Sequence, residues 1–409
     1  MSKQASSQKT FGIRQAIPPA VMGAIVIIVL VLLSVVAVFQ ITTSIQQAIS
    51  AGQELDLSNI SLWMFLGYLA FTAFTFLAGG FTAAYLSTRS ADHRLDASAV
   101  AGGLAGTLAT AMLLPIILVV TPEAAFEVAQ GFVAFTGLAA IGGIVSAMLL
   151  GKGESRLWNV VKRTVHDATL PSVLAPALVF MALIATADLA LNSLNLGNYV
   201  MLATGFLIPL LMYSFAITGV VEGTRPGTGI QASLIRAVTR SKRVLLGFTV
   251  LTTLVAGLAI IAYLLLTASG EGLVTLLFTL TDTGLGLTTA GALATSALIT
   301  VAIVAFMAIG FFPQLALTDG KSTIGSLKGS LAFVRKDISG AYSFYALIAA
   351  SAVVAQLVII VTDLVVAAVS AFVFDITVAT PAIDVVMSAV VLAVAVAAQT
   401  HYYSLGKKA

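Results

Sequence analysis

About ten runs of roughly twenty apolar residues punctuate this chain, the length an α-helix needs to cross the hydrocarbon core of a bilayer. Lipid offers the backbone no hydrogen-bond partners, so such a run must satisfy its own N–H and C=O groups, and a helix does this. The runs are Val21–Phe39, Leu62–Tyr85, Ala97–Val120, Gly131–Leu150, Ser172–Leu191, Tyr199–Val221, Val244–Thr267, Thr288–Phe312, Ala341–Thr362 and Val385–Leu405. Composition agrees: 59% of the 409 residues are hydrophobic and 9% charged, where a soluble domain carries about a quarter charged residues. The expected fold is therefore an all-α integral membrane protein of about ten transmembrane helices plus three amphipathic interfacial helices. An eight-residue apolar stretch within Leu273–Thr289 is too short to cross and reads as an interfacial or re-entrant piece. The ninth run stays apolar to Phe374, which predicts a tilted, bent or extended helix.

Charge placement predicts orientation. With ten spans, all 20 lysines and arginines fall in the N-terminus, the even-numbered connections and the C-terminus, on one side. The opposite connections carry acids such as Glu54, Asp56, Glu123, Glu127, Glu271, Asp282, Asp375 and Asp384. By the positive-inside rule both termini are cytoplasmic in a multi-pass plasma-membrane protein. The basic N-terminal stretch before Val21 resembles a signal peptide, but its apolar run is long and the nearest small-residue site lies well beyond it, so it reads as a retained signal-anchor helix.

Two segments of different texture are expected. Residues 1–150 form a four-span bundle dense in glycine (Gly79-Gly80, Gly102-Gly103, Gly106, Gly137, Gly142-Gly143). Gly102 and Gly106 make a small-xxx-small pair that lets backbones approach, and tight packing is the leading reading against a substrate path. Residues 151–409 hold six spans and a repeat: a shift of 97 residues places Glu222-Gly223 on Asp319-Gly320 and Ser233-Leu234 on Ser330-Leu331. In each copy an apolar run ends on an acid–glycine pair and passes into a basic amphipathic helix. Gly223 and Gly320 are expected as left-handed C-caps of the preceding helices.

Three surface helices follow from apolar spacing. Leu157, Trp158, Val161 and Val165 form one stripe, Ile230, Leu234, Ala237 and Val238 a second, and Ile324, Leu327, Leu331 and Val334 a third. Their basic residues Lys162, Arg163, Arg236, Arg240, Lys242, Arg243, Lys328, Arg335 and Lys336 are candidates to contact anionic lipid headgroups or a membrane-protein partner. The plainer alternative is that these helices are elbows joining spans.

Little in the chain carries chemistry. The candidate intramembrane polar residues are Asp188, Gln356 and Asp363, as a proton or cation relay or as hydrated groups at the outer boundary. His166 and Asp167 are adjacent on one helix and so do not face each other. Three histidines, no cysteine and no HExxH leave no metal-ligand spacing, and no cofactor is implied. Neither GTRPGTG nor GLAGTLAT fits a phosphate loop, and nothing resembles a nucleic-acid module. Pro209 and Pro313 precede the acid–glycine pairs by different distances, against a symmetric gate.

The pattern "LALTDG" followed by "SLKGSLAFVRKD", leading into a spanning hairpin, resembles membrane domains found beside glycerophosphodiester phosphodiesterases and in uncharacterised archaeal, especially haloarchaeal, proteins. Residues 78–110 look like small four-span haloarchaeal proteins of unknown function. The metal-binding His/Glu/Asp set of the phosphodiesterase is missing, so the resemblance implies an architecture without that activity. The sequence reading is a non-enzymatic membrane scaffold or accessory subunit, with a secondary transporter for a small or lipid-like solute as the alternative.

Overall fold

The computed structural model describes residues 13–50, 57–88, 95–120, 125–150, 156–193, 198–268, 305, 307–372 and 379–408. These form thirteen helices and no strand among the described residues. In order they are α1 (Ile13–Ser50), α2 (Leu57–Thr88), α3 (Leu95–Val120), α4 (Ala125–Leu150), α5 (Arg156–Ala168), α6 (Pro171–Ser193) and α7 (Asn198–Gly223). Then come α8 (Ile230–Arg240), α9 (Lys242–Ala268), α10 (Phe312–Thr318), α11 (Thr323–Lys336), α12 (Ile338–Phe372) and α13 (Ala379–Lys408). Seven of the helices are long and apolar enough to cross a membrane among the residues described. The proposed re-entrant piece at 273–289, and all but the end of the proposed span Thr288–Phe312, lie outside the described residues.

The described residues fall into two compact units. The first takes them from Met1–Ser155 and Ile338–Ala350, the second from Arg156–Leu276, Ala297–Asp337 and Ser351–Ala409.

In the first unit, α1, α2, α3 and α4 pack pairwise around a core built mostly of alanine: Ala20, Ala24, Ala83, Ala101, Ala105, Ala109 and Ala139, with Ile27 and Phe76. Water-driven burial cannot gather helices within lipid, so close backbone contact must supply the attraction, and small side chains permit it. A Cβ added at Gly80 would strike Ala139 O, one at Gly142 would strike Leu77 O, and one at Gly143 would strike Ser98 O. These glycines are therefore contact surfaces between helices. Phe76 stacks on Phe135 with ring centroids 4.5 Å apart. The hydroxyls of Thr107, Thr136 and Tyr342 join in a chain (3.1 and 2.7 Å) that satisfies them inside the bundle. Leu32, Leu33, Val35, Val36 and Phe39 of α1 stand exposed, the apolar surface a spanning helix offers to lipid.

In the second unit, α6, α7 and α13 pack together, with α5 against α13, α8 against α7 and α6, and α10 between α9 and α11. Val173, Ala177, Val220, Val221, Val244, Phe312, Ala389, Ala393 and Ala397 make its core. Helices α5, α8 and α11 form where the three surface helices were expected, and their buried faces overlap the expected apolar stripes only in part: Leu157 and Ala237 are buried and Leu234 and Leu327 pack on the core. Helix α8 buries Ser233 and Ala237, and α11 buries Ser326 and Ser330. Ile230, Ile235, Val238, Ile324 and Leu331 remain exposed. Helix α5 buries Leu157, Val160 and Thr164 and exposes Trp158 and Val165. For α8 and α11 the reason is steric: small residues let the helix lie close on its neighbours, so Ile230, Ile235, Val238, Ile324 and Leu331 point elsewhere, whereas α5 packs through Leu157 and Val160.

The acid–glycine turns also differ from each other. Gly320 takes a left-handed φ of +64° directly after α10, and the N–H groups of Asp319 and Lys321 both donate to Leu315 O (3.2 and 3.4 Å). Gly223 is not a left-handed cap. It is the last residue of α7, and the positive φ of that turn falls on Gly227 (φ +76°). At Gly223 a Cβ would collide with Ser172 O, and Ser172 Oγ donates to Gly223 O at 3.1 Å. Close approach of α6 is what requires glycine there.

Candidate functional site

The polar chemistry of the second unit gathers around the ends of α7 and α10. Glu222, in the last turn of α7, is completely buried. A carboxylate there suffers twice, from desolvation and from the negative end of the helix dipole. Three arginines offset both. Arg225 Nη2 lies 3.0 Å from Oε1, Arg236 Nη1 lies 3.6 Å from Oε2, and Arg240 Nη1 lies 3.1 Å from Oε1 and 3.3 Å from Oε2. The arrangement follows from the local sequence. Arg225 stands three residues after Glu222, and Arg236 and Arg240 are spaced i, i+4 on α8, so they share one helix face. That face reaches Glu222 because a small residue, Ala237, lets α8 come down onto Gly219 of α7, where a Cβ would meet Ala237 Cβ at 3.1 Å.

The turn of the first repeat also grips the second. Arg225 donates to Leu317 O at 2.9 Å, and Arg243 Nη1 donates to Gly320 O at 2.6 Å. Leu317 lies in the last turn of α10, where cations are favoured, and Gly320 in the turn that follows it. On the other side of that turn, Asp319 accepts from Tyr403 (2.8 Å) and Lys407 (2.9 Å) of α13. Burial alone would raise the Asp319 pKa. The hydrogen bonds from Lys407 and Tyr403, the Lys407 charge and the Thr318 hydroxyl outweigh it and hold the carboxyl below its usual 3.8. Asp167 meets a histidine after all, but His401 rather than His166: Nε2 and Oδ2 are 2.9 Å apart.

A second feature is a broken helix. Pro313 has no N–H to donate back to Ile309, and the chain turns at Gly310 and Phe311 before α10 begins. Ser330 of α11 fills part of the gap, accepting from Phe311 N–H (3.1 Å) and donating to Ala308 O (3.0 Å). Gln399 Nε2 of α13 donates to Gly310 O (2.8 Å), which leaves Gln399 Oε1 to accept from Gln314 Nε2 (3.0 Å). Gln314 Oε1, fully buried, ends this chain without a hydrogen-bond partner among the described residues.

The residues singled out from sequence are scattered. Asp188 on α6 and Gln356 on α12 are exposed, and Asp363 is on α12 with its side chain outside the residues described. Arg236 and Arg240 converge on Glu222, and Arg243 caps α10. Lys162 lies over the Trp158 ring, 5.7 Å from its centroid. Arg163, Lys242, Lys328, Arg335 and Lys336 are exposed. Glu222, Gln314 and Gln399 were missed. An acid at the C-terminal end of a helix, against the dipole, is the signal that marks Glu222; nothing local marks the glutamines. Comparison with protein-family models, with curated proteins and with solved structures finds no match to this chain.

Proposed function

We propose that the chain is a ten-span membrane protein with both termini cytoplasmic, acting as a non-enzymatic scaffold or accessory subunit. Its basic surface helices contact anionic lipid or a membrane-protein partner. The observation that carries this reading is the pairing of exposed lysines and arginines on α5 and α11, and of the part-exposed Arg236 and Arg240 on α8, with exposed large apolar residues (Trp158, Val165, Ile235, Val238, Ile324, Leu331). A helix of that kind lies in the headgroup region, its apolar residues toward acyl chains and its cations near phosphates. The absence of cysteine makes orientation straightforward to test. T239C should resist a membrane-impermeant maleimide in intact cells while E127C reacts; the reverse pattern refutes the orientation. Native mass spectrometry after gentle extraction should then retain a protein partner at fixed stoichiometry. A retained solute with no partner instead argues against the scaffold.

The second reading, a transporter for a small or lipid-like solute, is favoured by the break at Gly310–Pro313 and the buried Gln314 beside it. Transporters place binding sites at such discontinuous helices. Its signature is solute uptake into proteoliposomes that Q314L abolishes. Under the scaffold reading D188N and D363N leave folding and function intact.

A further inference from the structure

The cluster around Glu222 contains more positive charge than that carboxylate needs. Three arginines against one glutamate leave a formal +2. Glu222 is 0% exposed, whereas the arginine side chains are 36%, 39% and 50% exposed. The negative partner is thus sealed inside while the cations face out. The carboxylate engages one terminal nitrogen of each guanidinium: Nη2 of Arg225, Nη1 of Arg236 and Nη1 of Arg240. A guanidinium carries five N–H donors, two on each terminal nitrogen; Nη2 of Arg225 also reaches Leu317 O (2.9 Å) and Nη1 of Arg236 reaches Thr228 Oγ1 (3.5 Å), so it is the other terminal nitrogen of each fork that the carboxylate leaves unengaged. Because all three approach the same carboxylate, the forks are held side by side. Planar forks of this kind match the oxygens of a phosphate.

We propose that Arg225, Arg236 and Arg240 form a binding site for the phosphate of an anionic lipid headgroup, with Glu222 as the positioning residue beneath it. The inference rests on the reading of α8 as a helix at the membrane surface. It is narrower, because it separates these three arginines from the other basic residues of the surface helices. Lys328, Arg335 and Lys336 are exposed on α11, and among the described residues no buried acid gathers them. A lipid is favoured over a free anion because α8 also exposes Ile235 and Val238, and α9 exposes Leu246 close to the same end. Helical spacing puts Ile235 and Val238 on a different face of α8 from Arg236 and Arg240, so the apolar face meets the acyl layer while the arginines stand at its flank.

The test uses the full-length protein in detergent, titrated with dioctanoyl phosphatidic acid, dioctanoyl phosphatidylcholine and inorganic phosphate. Wild type should prefer phosphatidic acid. R236Q/R240Q should weaken that binding by about 30-fold, and K328Q/K336Q by less than about threefold. Equal losses in the two double variants mean diffuse attraction and overturn the site. Inorganic phosphate competing as well as the lipid overturns the lipid assignment. Should R236Q/R240Q fail to fold, R236K/R240K keeps the charge and loses the fork. It should bind about tenfold more weakly, and undiminished binding refutes the proposal. A fluorophore on V238C, read against brominated lipid in vesicles, separates the two claims. No quenching defeats the membrane-surface reading itself. Quenching without arginine dependence defeats only the phosphate site.

Discussion

Ser330 stands where Ser233 stands in the first repeat, yet the two hydroxyls do different things. Ser233 donates to Ile230 O within its own helix at 2.7 Å, while Ser330 bridges Phe311 N–H and Ala308 O across the break before α10. Both residues are fully buried. Each is a small side chain on the packed face of its helix, and only Ser330 also caps backbone groups, at the break before Pro313.

Removal of these hydroxyls should therefore have unequal effects. S233A loses a local bond that competes weakly with the helix and should change stability by no more than about 0.5 kcal/mol. S330A leaves a buried donor and a buried acceptor without this partner and should cost about 2–3 kcal/mol. Thermal unfolding in detergent compares the two directly, and equal effects would show that the break does not depend on Ser330.

The Glu222 cluster predicts an asymmetry. E222Q leaves arginines that are half exposed and hydrated, so the loss should be about 1–2 kcal/mol. R225Q/R236Q/R240Q leaves a buried, unpaired carboxylate at a helix C-terminus and should cost about 3–5 kcal/mol. Adding E222Q to the triple variant should then recover stability. A further loss on that addition would mean that the carboxylate is hydrated in the triple variant.

Glycines of the first unit should respond by contact and not by propensity. G80A and G142A place a methyl group against a backbone carbonyl of a neighbouring helix and should cost about 2 kcal/mol or more, or force the helices apart. Among the described residues nothing lies within 4 Å of a Cβ added at Gly67, so G67A should be neutral or stabilising by up to about 1 kcal/mol. Unfolding midpoints of the three variants provide the comparison.

Acid should loosen the α10–α13 junction. The folded Asp319 carboxyl has a lowered pKa, so its contribution is complete above the usual 3.8 and is lost as pH falls through the lower folded value. D319N should remove that dependence, lowering stability near neutral pH and flattening the acid limb. Unfolding followed from neutral to strongly acidic pH, in wild type and D319N, tests this. An unchanged acid limb in D319N assigns it to other carboxylates. K407A alone should cost only about 0.5 kcal/mol, since that lysine is largely exposed.

Helical class and the long apolar helices were legible in the chain, as were helices at the positions of α5, α8 and α11. Each is set by a local rule: backbone self-satisfaction in lipid or 3.6-residue periodicity. Arg236 and Arg240 were also visible as basic residues on one face. What they face was not, because a contact between Arg240 and Glu222 depends on how far α8 descends onto α7, and that distance is decided by Gly219 and Ala237 together.

The roles of individual residues were decided in three dimensions. Read alone, Gly223 and Gly320 are the same cap; in the structure one is a left-handed turn and the other a gap filled by Ser172. Asp188 and Gln356, conspicuous as polar residues in apolar runs, are exposed, while Gln314 and Gln399, unremarkable in sequence, form a buried chain across a broken helix. Apolar spacing alone specifies that a helix forms and which positions are large. Which face a surface helix turns inward depends on where a neighbouring backbone leaves room, and only packing supplies that.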